Sequence, residues 1–143
     1  MAITSAICTS FKVELLKGVH DFTNGQDTFN LALYVGATAS LGAGTTAYTT
    51  TGEVSGTGYS AKGQALTSVT PTSTGTTAVV DFADETFSTA TITASGCLIF
   101  NDTATGDPAV AAISFGGQKT STAGDFTIVF PSPTATGAII RLA

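Results

Sequence analysis

The chain has 143 residues, a formal net charge of −5, 43% hydrophobic residues and only 10% charged residues. A chain of this length is most simply one domain, residues 1–143, and it can bury about 70% of its unfolded surface without metals or disulfides. The few basic residues are scattered along the sequence, whereas binding to phosphates requires clustered Lys or Arg. Nucleic acid is therefore not an expected partner.

No stretch predicts a membrane partner. The longest apolar runs, residues 31–35 and 109–113, are far shorter than the roughly 20 residues that a spanning helix needs. The N-terminal residues lack a basic region, and Thr, Ser and Lys interrupt their apolar residues, so they do not resemble a secretory signal. We therefore expect the protein to be made and to fold in a cytoplasm.

The first predicted element is a helix over about residues 4–17. Ile7, Phe11 and Leu15 recur every four residues, which places them on one face of a helix. The Thr-Ser pair at the start can cap the first turn, and Gly18 suits the position just after the last turn.

A strand is predicted next, over residues 28–35. Phe29, Leu31, Leu33 and Val35 alternate with other residues, which indicates a half-buried strand. The glycine-rich residues 36–63 have no sustained period. They predict a long surface excursion, with at most short extended pieces around residues 47–51, and such a loop is a candidate contact surface.

The remaining sequence predicts short strands separated by turns. They share alternating apolar residues and lie at residues 64–70, 76–83, 87–94, 97–101, 109–115, 125–130 and 137–142. Gly96 leaves open whether residues 97–101 continue the preceding strand or start another. Residues 71–75 and 116–124 are predicted turns, and residues 76–101 are expected to supply most of the core. The fold class is therefore all-β, an antiparallel β-sandwich or barrel of seven or eight short strands with one N-terminal helix.

The sequence contains no constellation typical of catalysis. His20 is the single histidine, and its place beside Asp21, between a helix end and a turn, predicts a surface or packing residue. Because Ser and Thr are abundant, no one of them stands out as a nucleophile for a His-dependent triad. We expect no catalytic residue and no cofactor, so the protein is predicted not to be an enzyme.

Two groups of carboxylates were considered as metal ligands. One is formed by Asp81, Asp84 and Glu85, and the other by Asp102 and Asp107. Neither shows the alternating acidic pattern of a calcium loop, and Asp often caps turns. No metal site is predicted.

The two cysteines, Cys8 and Cys97, are far apart in sequence and match neither a redox pair nor a zinc-ligand spacing. Two reduced, buried thiols are the favoured interpretation. A disulfide between them remains the alternative if the protein is later exposed to oxidising conditions.

Candidate interface residues lie in the helix and in the glycine-rich loop. They are Ile7, Phe11 and Leu15 of the helix and Tyr48 and Tyr59 of the loop, since aromatic residues often anchor interfaces. A neutral surface of Thr, Ser and Gly suits large permanent contacts, so self-association into a homo-oligomer is expected.

Several segments together resemble a family of small structural proteins of tailed bacteriophages. They include TSFKVELLKGVHDF, TFNLALYVG, VVDFADETFSTATITASGCLIFN and DFTIVFP, and the resemblance extends over nearly the full length. The resemblance implies a virion protein made in the host cytoplasm, but it supplies no residue with an assigned role. It implies most directly a capsid decoration or cement protein that binds the major capsid protein and stabilises the assembled head.

Two alternatives remain open at this stage. A tail, neck or fibre-associated structural protein would have the same sequence character. A carbohydrate-binding β-sandwich module belongs to another class, and the absence of Trp weighs against it.

Overall fold

A computed structural model describes residues 2–143. The protein is mostly β-structure with one short helix, which confirms the predicted all-β class. The elements, in chain order, are β1 (Ala6–Ile7), α1 (Thr9–Leu16), β2 (Phe29–Tyr34), β3 (Gln64–Ala65), β4 (Ser68–Thr74), β5 (Thr77–Phe82), β6 (Glu85–Asn101), β7 (Ala109–Ile128) and β8 (Ile140–Leu142).

The strands form two sheets, and all pairings between strands are antiparallel. The larger sheet has the order β1-β7-β6-β2-β3, and the smaller has the order β4-β5-β8. The arrangement is sandwich-like, with the apolar side chains of both sheets in one core cluster.

The longest strands, β6 and β7, pair from Glu85 opposite Ile128 to Phe100 opposite Ala109. The C-terminal part of β6 lies between β7 and β2, and every residue from position 96 to 101 is buried. Of the two possibilities that Gly96 left open, the continuous strand is the one observed, because β6 runs through Gly96 without a turn.

The predicted turn at residues 116–124 is also wrong, because these residues belong to β7. Between the pairs Gly96–Ser114 and Ala94–Lys119, β7 uses more residues than β6, so the extra ones bulge out of the ladder. Gly116 at φ 76° can adopt the left-handed backbone that such a bulge requires.

The turn predicted at residues 71–75 is likewise shorter than expected. Strand β4 continues to Thr74, and Pro71 lies within a register irregularity between Val69 and Thr72. A bulge tolerates proline because the missing N–H group is not needed for the ladder.

The N-terminal helix is shorter than the predicted residues 4–17. Ala6 and Ile7 pair with Ala112 and Ala111 as strand β1, so the helix begins only at Thr9. Cys8 occupies the N-cap, and its thiol does not cap the helix but donates to the Gly42 carbonyl at 3.8 Å, so the predicted Thr-Ser cap is wrong. At the other end Gly18 has φ 73° just after the C-cap, as predicted.

Strand β2 was predicted correctly, but all six of its residues are buried rather than alternate ones. The long loop of residues 36–63 accounts for part of this burial. Its Gly52 carbonyl accepts from Val35 N–H at 2.8 Å, and its Val54 N–H donates to the Leu33 carbonyl at 2.9 Å. The loop itself contains only isolated bridges and no strand, as predicted.

Within residues 2–143, no helix combines the length and apolar character needed to cross a membrane.

Two glycines allow a direct test of how closely the long loop approaches β2. Gly63 and Gly75 have nearly equal φ values of 66° and 61°, but a Cβ at Gly63 would collide with the Leu31 carbonyl oxygen, whereas at Gly75 it would meet nothing within 4 Å. We expect Gly75→Ala to lower the free energy of unfolding by about 1–2 kcal/mol, the cost of a left-handed conformation. Gly63→Ala should cost at least ~3 kcal/mol, measured by urea unfolding. Equal losses would contradict the close packing.

Candidate functional site

Phe11, a predicted interface residue, is a core residue. Its side chain is 1% exposed, and its ring lies 5.0 Å from the His20 imidazole and 5.9 Å from the Phe22 ring, measured between centroids. Phe22 in turn stacks on Phe29 at 4.3 Å. The chain itself covers Phe11, so the expectation that Phe11 contacts a partner is corrected.

Ile7 and Leu15 are half-buried against the core. Ile7 lies in β1 opposite Ala111, and Leu15 lines a groove of about 260 Å³ between α1 and the smaller sheet. Leu142, which is 57% exposed, lines the same groove. The roles of Ile7 and Leu15 as contact residues remain predictions.

The opposite face of α1 carries apolar residues that the sequence analysis did not identify. Val13 is 50% exposed and Leu16 is 91% exposed, and Val19, just beyond the helix, is also exposed. Residues three positions apart lie on one helix face. The signal was present in the sequence, since a helix that buries Phe11 turns Val13 and Leu16 away from the core.

Tyr48 and Tyr59 point inward from the long loop and meet at one carboxylate. The Tyr48 hydroxyl donates to Glu53 Oε2 at 2.5 Å, and the Tyr59 hydroxyl donates to Glu53 Oε1 at 2.7 Å. The Lys62 backbone N–H also donates to Oε1 at 2.7 Å. Glu53 therefore holds both halves of the loop together, and the two tyrosines anchor the loop to its own chain.

The two tyrosine rings also join the loop to β6. The Tyr48 ring lies 4.9 Å from the Phe100 ring, and the Tyr59 ring stacks on Phe87 at 5.4 Å. The Tyr59 hydroxyl additionally accepts from Leu33 N–H at 2.9 Å. Because both side chains are part-buried and fully engaged, they have little free surface for a partner.

This environment favours neutral tyrosines. Burial, followed by the hydrogen bond to Glu53, raises the pKa of Tyr48 to about 12. Burial is also the main cause that raises the pKa of Tyr59 and of Tyr34, whose hydroxyl donates to the Thr49 carbonyl at 2.7 Å. A tyrosinate beside the Glu53 carboxylate would bring two negative charges together.

Lys62 closes the loop from the outside. Its ammonium lies 3.0 Å from Asp102 Oδ1 and 2.8 Å from Asp107 Oδ2, both in the β6–β7 connection. Hydrogen bonds to Asp107 and then to Asp102 raise the pKa of Lys62. Asp102 and Asp107, one of the two groups of candidate metal ligands, therefore form ion pairs with a lysine.

The cysteines are free, and both are fully buried. Burial, with a smaller contribution from Glu14, raises the pKa of Cys8 to about 11, and burial raises the pKa of Cys97 to about 12. Both shifts oppose formation of the thiolate, which is the reactive form. The favoured interpretation of two buried thiols agrees with this structure.

The raised pKa values predict a loss of stability at alkaline pH. The unfolded chain releases its thiol protons from about pH 8.5 and its tyrosine protons from about pH 10, whereas the folded chain retains them longer. The free energy of unfolding should therefore fall between pH 9 and pH 12, as measured by urea unfolding. Tyr48→Phe should lessen the slope between pH 10 and pH 12. A free energy that is constant or rises over this range would contradict the analysis.

His20 is a buried packing residue, one of the two outcomes predicted for it. Its side chain is fully covered, and its Nε2 lies 2.7 Å from Glu14 Oε2 while its Nδ1 lies 3.1 Å from Asn101 Nδ2. Asn101 is 81 residues away in sequence, at the end of β6.

The bonds of Asn101 determine which ring nitrogen of His20 carries the proton. Asn101 Oδ1 accepts from the backbone N–H groups of Thr103 and Ala104, at 3.0 and 3.1 Å, so the amide nitrogen must face His20. That amide also donates to Asp27 Oδ2 at 2.8 Å. His20 Nδ1 is therefore an acceptor, and Nε2–H donates to Glu14. Both ring nitrogens are occupied, which leaves neither free to act as a base.

We expect nitrogen-15 NMR at a pH where the ring is neutral to show the proton on Nε2 and none on Nδ1. Asn101→Ala alone should leave the proton on Nε2, because the Glu14 carboxylate can only accept, whereas Asn101→Ala combined with Glu14→Ala should give a mixture of the two neutral forms. A proton on Nδ1 in the unaltered protein would contradict the assigned network.

The other acidic group, Asp81, Asp84 and Glu85, lies in β5, in the connection after it and at the start of β6. Asp84 Oδ1 accepts from Phe130 N–H at 2.9 Å, and burial raises the pKa of Glu85. Across residues 2–143, no three His, Cys, Asp or Glu side chains are grouped closely enough to hold a metal ion.

No protein-family model, curated protein or solved structure was found to match this chain.

Proposed function

We propose that this protein is a non-enzymatic structural component of a phage virion, and that it is a decoration or cement protein of the head. The observation that carries the proposal is the exposed apolar face of α1, formed by Val13, Leu16 and Val19. Leu16 is 91% exposed, and an exposed apolar patch is typical of a surface that a partner covers.

The other features of the chain support an assembly role. The hydrogen-bonding groups most suited to chemistry are engaged inside the fold, since Glu53 holds Tyr48 and Tyr59, and His20 is held at both ring nitrogens. Lys12 and Lys17 are exposed and flank the apolar residues of α1, so this face has an apolar centre with a charged rim, an arrangement common at partner-binding surfaces. The resemblance to small phage structural proteins points in the same direction.

The proposed mechanism is linkage by mass action. A protein that binds the assembled shell but not its separated subunits lowers the free energy of the shell. The helix face would contact the major capsid protein, and self-association would place several copies at junctions between subunits. A tail, neck or fibre position is the alternative within the same class.

The test adds purified variants to phage particles that lack the protein, and measures the bound fraction by sedimentation. Leu16→Asp should weaken binding at least ten-fold, because it introduces a charge at the centre of the apolar face. Val129→Asp is the matched control. Val129 is also well exposed, at 72%, but it directly follows β7 and is not part of the α1 face.

Retention of full binding by Leu16→Asp, with an unchanged thermal unfolding midpoint, would overturn the assigned contact face. Absence of the unaltered protein from all particles would overturn the virion proposal itself.

A further inference from the structure

An open cleft of about 570 Å³ lies between the part of β7 from Ile113 to Ile128 and residues 129–139. Its volume falls within the roughly 300–1,000 Å³ of sites that hold small molecules. None of the five predicted interface residues lines this cleft, and neither does any residue of the exposed α1 face.

The cleft exists because the two sheets are not joined on this side. Beyond Ala112, β7 pairs only with β6, and β8 pairs only with β5. Among the described residues, no strand therefore bridges β7 and β8. The gap between them exposes side chains that would otherwise face a closed core.

The lining of the cleft is mainly apolar. Its apolar side chains include Ile113, Phe115, Phe126, Ile128, Phe130 and Ile139. The Phe115 and Phe126 rings lie 6.2 Å apart, and Val129 at the same cleft is 72% exposed. Water in contact with these surfaces is released when an apolar ligand covers them, which favours binding.

One cation lines the cleft. Lys119 is the single basic residue among the lining residues, and within residues 2–143 it forms no ion pair and no side-chain hydrogen bond. The acidic residue of the lining, Asp125, is engaged differently, since its Oδ1 accepts from Thr89 N–H at 3.3 Å. Neither residue forms an ion pair, and of the two charged lining residues only Lys119 has no hydrogen-bond partner within the described residues.

We infer that the cleft binds an amphipathic anion, an alkyl chain that ends in a carboxylate, with the chain against the aromatic walls and the carboxylate at Lys119. The combination of an apolar wall and one unpaired cation matches both ends of such a ligand, because a lysine ammonium forms a charge-assisted hydrogen bond with a carboxylate. This site is independent of the α1 face and of the proposed role in the virion.

The test is isothermal titration with dodecanoate below its micelle concentration, with dodecyltrimethylammonium as the matched ligand of opposite charge. The unaltered protein should bind dodecanoate at one site, at least ten-fold more tightly than the cation. Lys119→Met should weaken dodecanoate binding about ten-fold and leave the cation unaffected. Lys17→Met, which removes a lysine outside the cleft, should change neither affinity.

Two further variants separate loss of the site from loss of the fold. Val129→Asp adds a negative charge at an exposed lining position and should weaken dodecanoate binding about ten-fold, with unchanged circular dichroism. Ile139→Trp should fill the cleft and abolish binding of both ligands. The inference is overturned if dodecanoate does not bind saturably, or if Lys119→Met binds it as tightly as the unaltered protein.

Discussion

The antiparallel pairing of β6 with β7 is the constraint on which the rest of the structure depends. Strand β6 follows β5 of the smaller sheet after only two residues and then extends through the larger sheet as far as Asn101. Its C-terminal residues are buried between β7 and β2, so this pairing organises the core and brings both sheets around it. The other elements are positioned by contact with this pair.

Two polar side chains, the half-buried Glu53 and the buried Asn101, attach the irregular segments to that pair. Glu53 collects two tyrosine hydroxyls and a backbone N–H, and so orders a loop that has no strand of its own. Asn101 links His20 and Asp27 to the start of the β6–β7 connection. A buried polar group without a partner is costly, so satisfied networks of this kind specify one arrangement of the loops. Apolar packing thus stabilises the strands, and polar contacts stabilise the loops.

The sequence predicted what depends on local pattern and missed what depends on distant contacts. The alternation at residues 29–34 predicted the strand, though not the burial of both its faces, and the lack of a period in the long loop predicted the absence of strands there. The predicted turn after Phe115 proved to be a bulged strand, because Gly116 and its neighbours can be extra residues in a ladder as readily as a turn. The helix begins later than predicted because Ala6 and Ile7 pair with a strand about a hundred residues away.

The same limit applies to the candidate sites. Helical periodicity identified Phe11 correctly as part of an apolar face. It could not show that this face packs against the protein's own core, because the rings that cover Phe11 belong to Phe22 and His20, outside the helix. Tyr48 and Tyr59 could not be assigned to the interior from sequence, because their burial depends on a single acidic residue between them. The cleft beside Lys119 depends on strands that fail to pair, which no local pattern records.

Many polar groups of this protein stabilise its own loops, and exposed apolar residues lie at α1 and at the open cleft, as well as singly at Val69 and Leu142. The central claim, assembly on a phage head through α1, is tested most directly by a reconstruction of the virion at a resolution that shows helices. We expect density for this chain repeated over the capsid surface, with the Leu16 face of α1 against a neighbouring subunit. Density confined to the tail axis, or an α1 face directed into solvent, would contradict it.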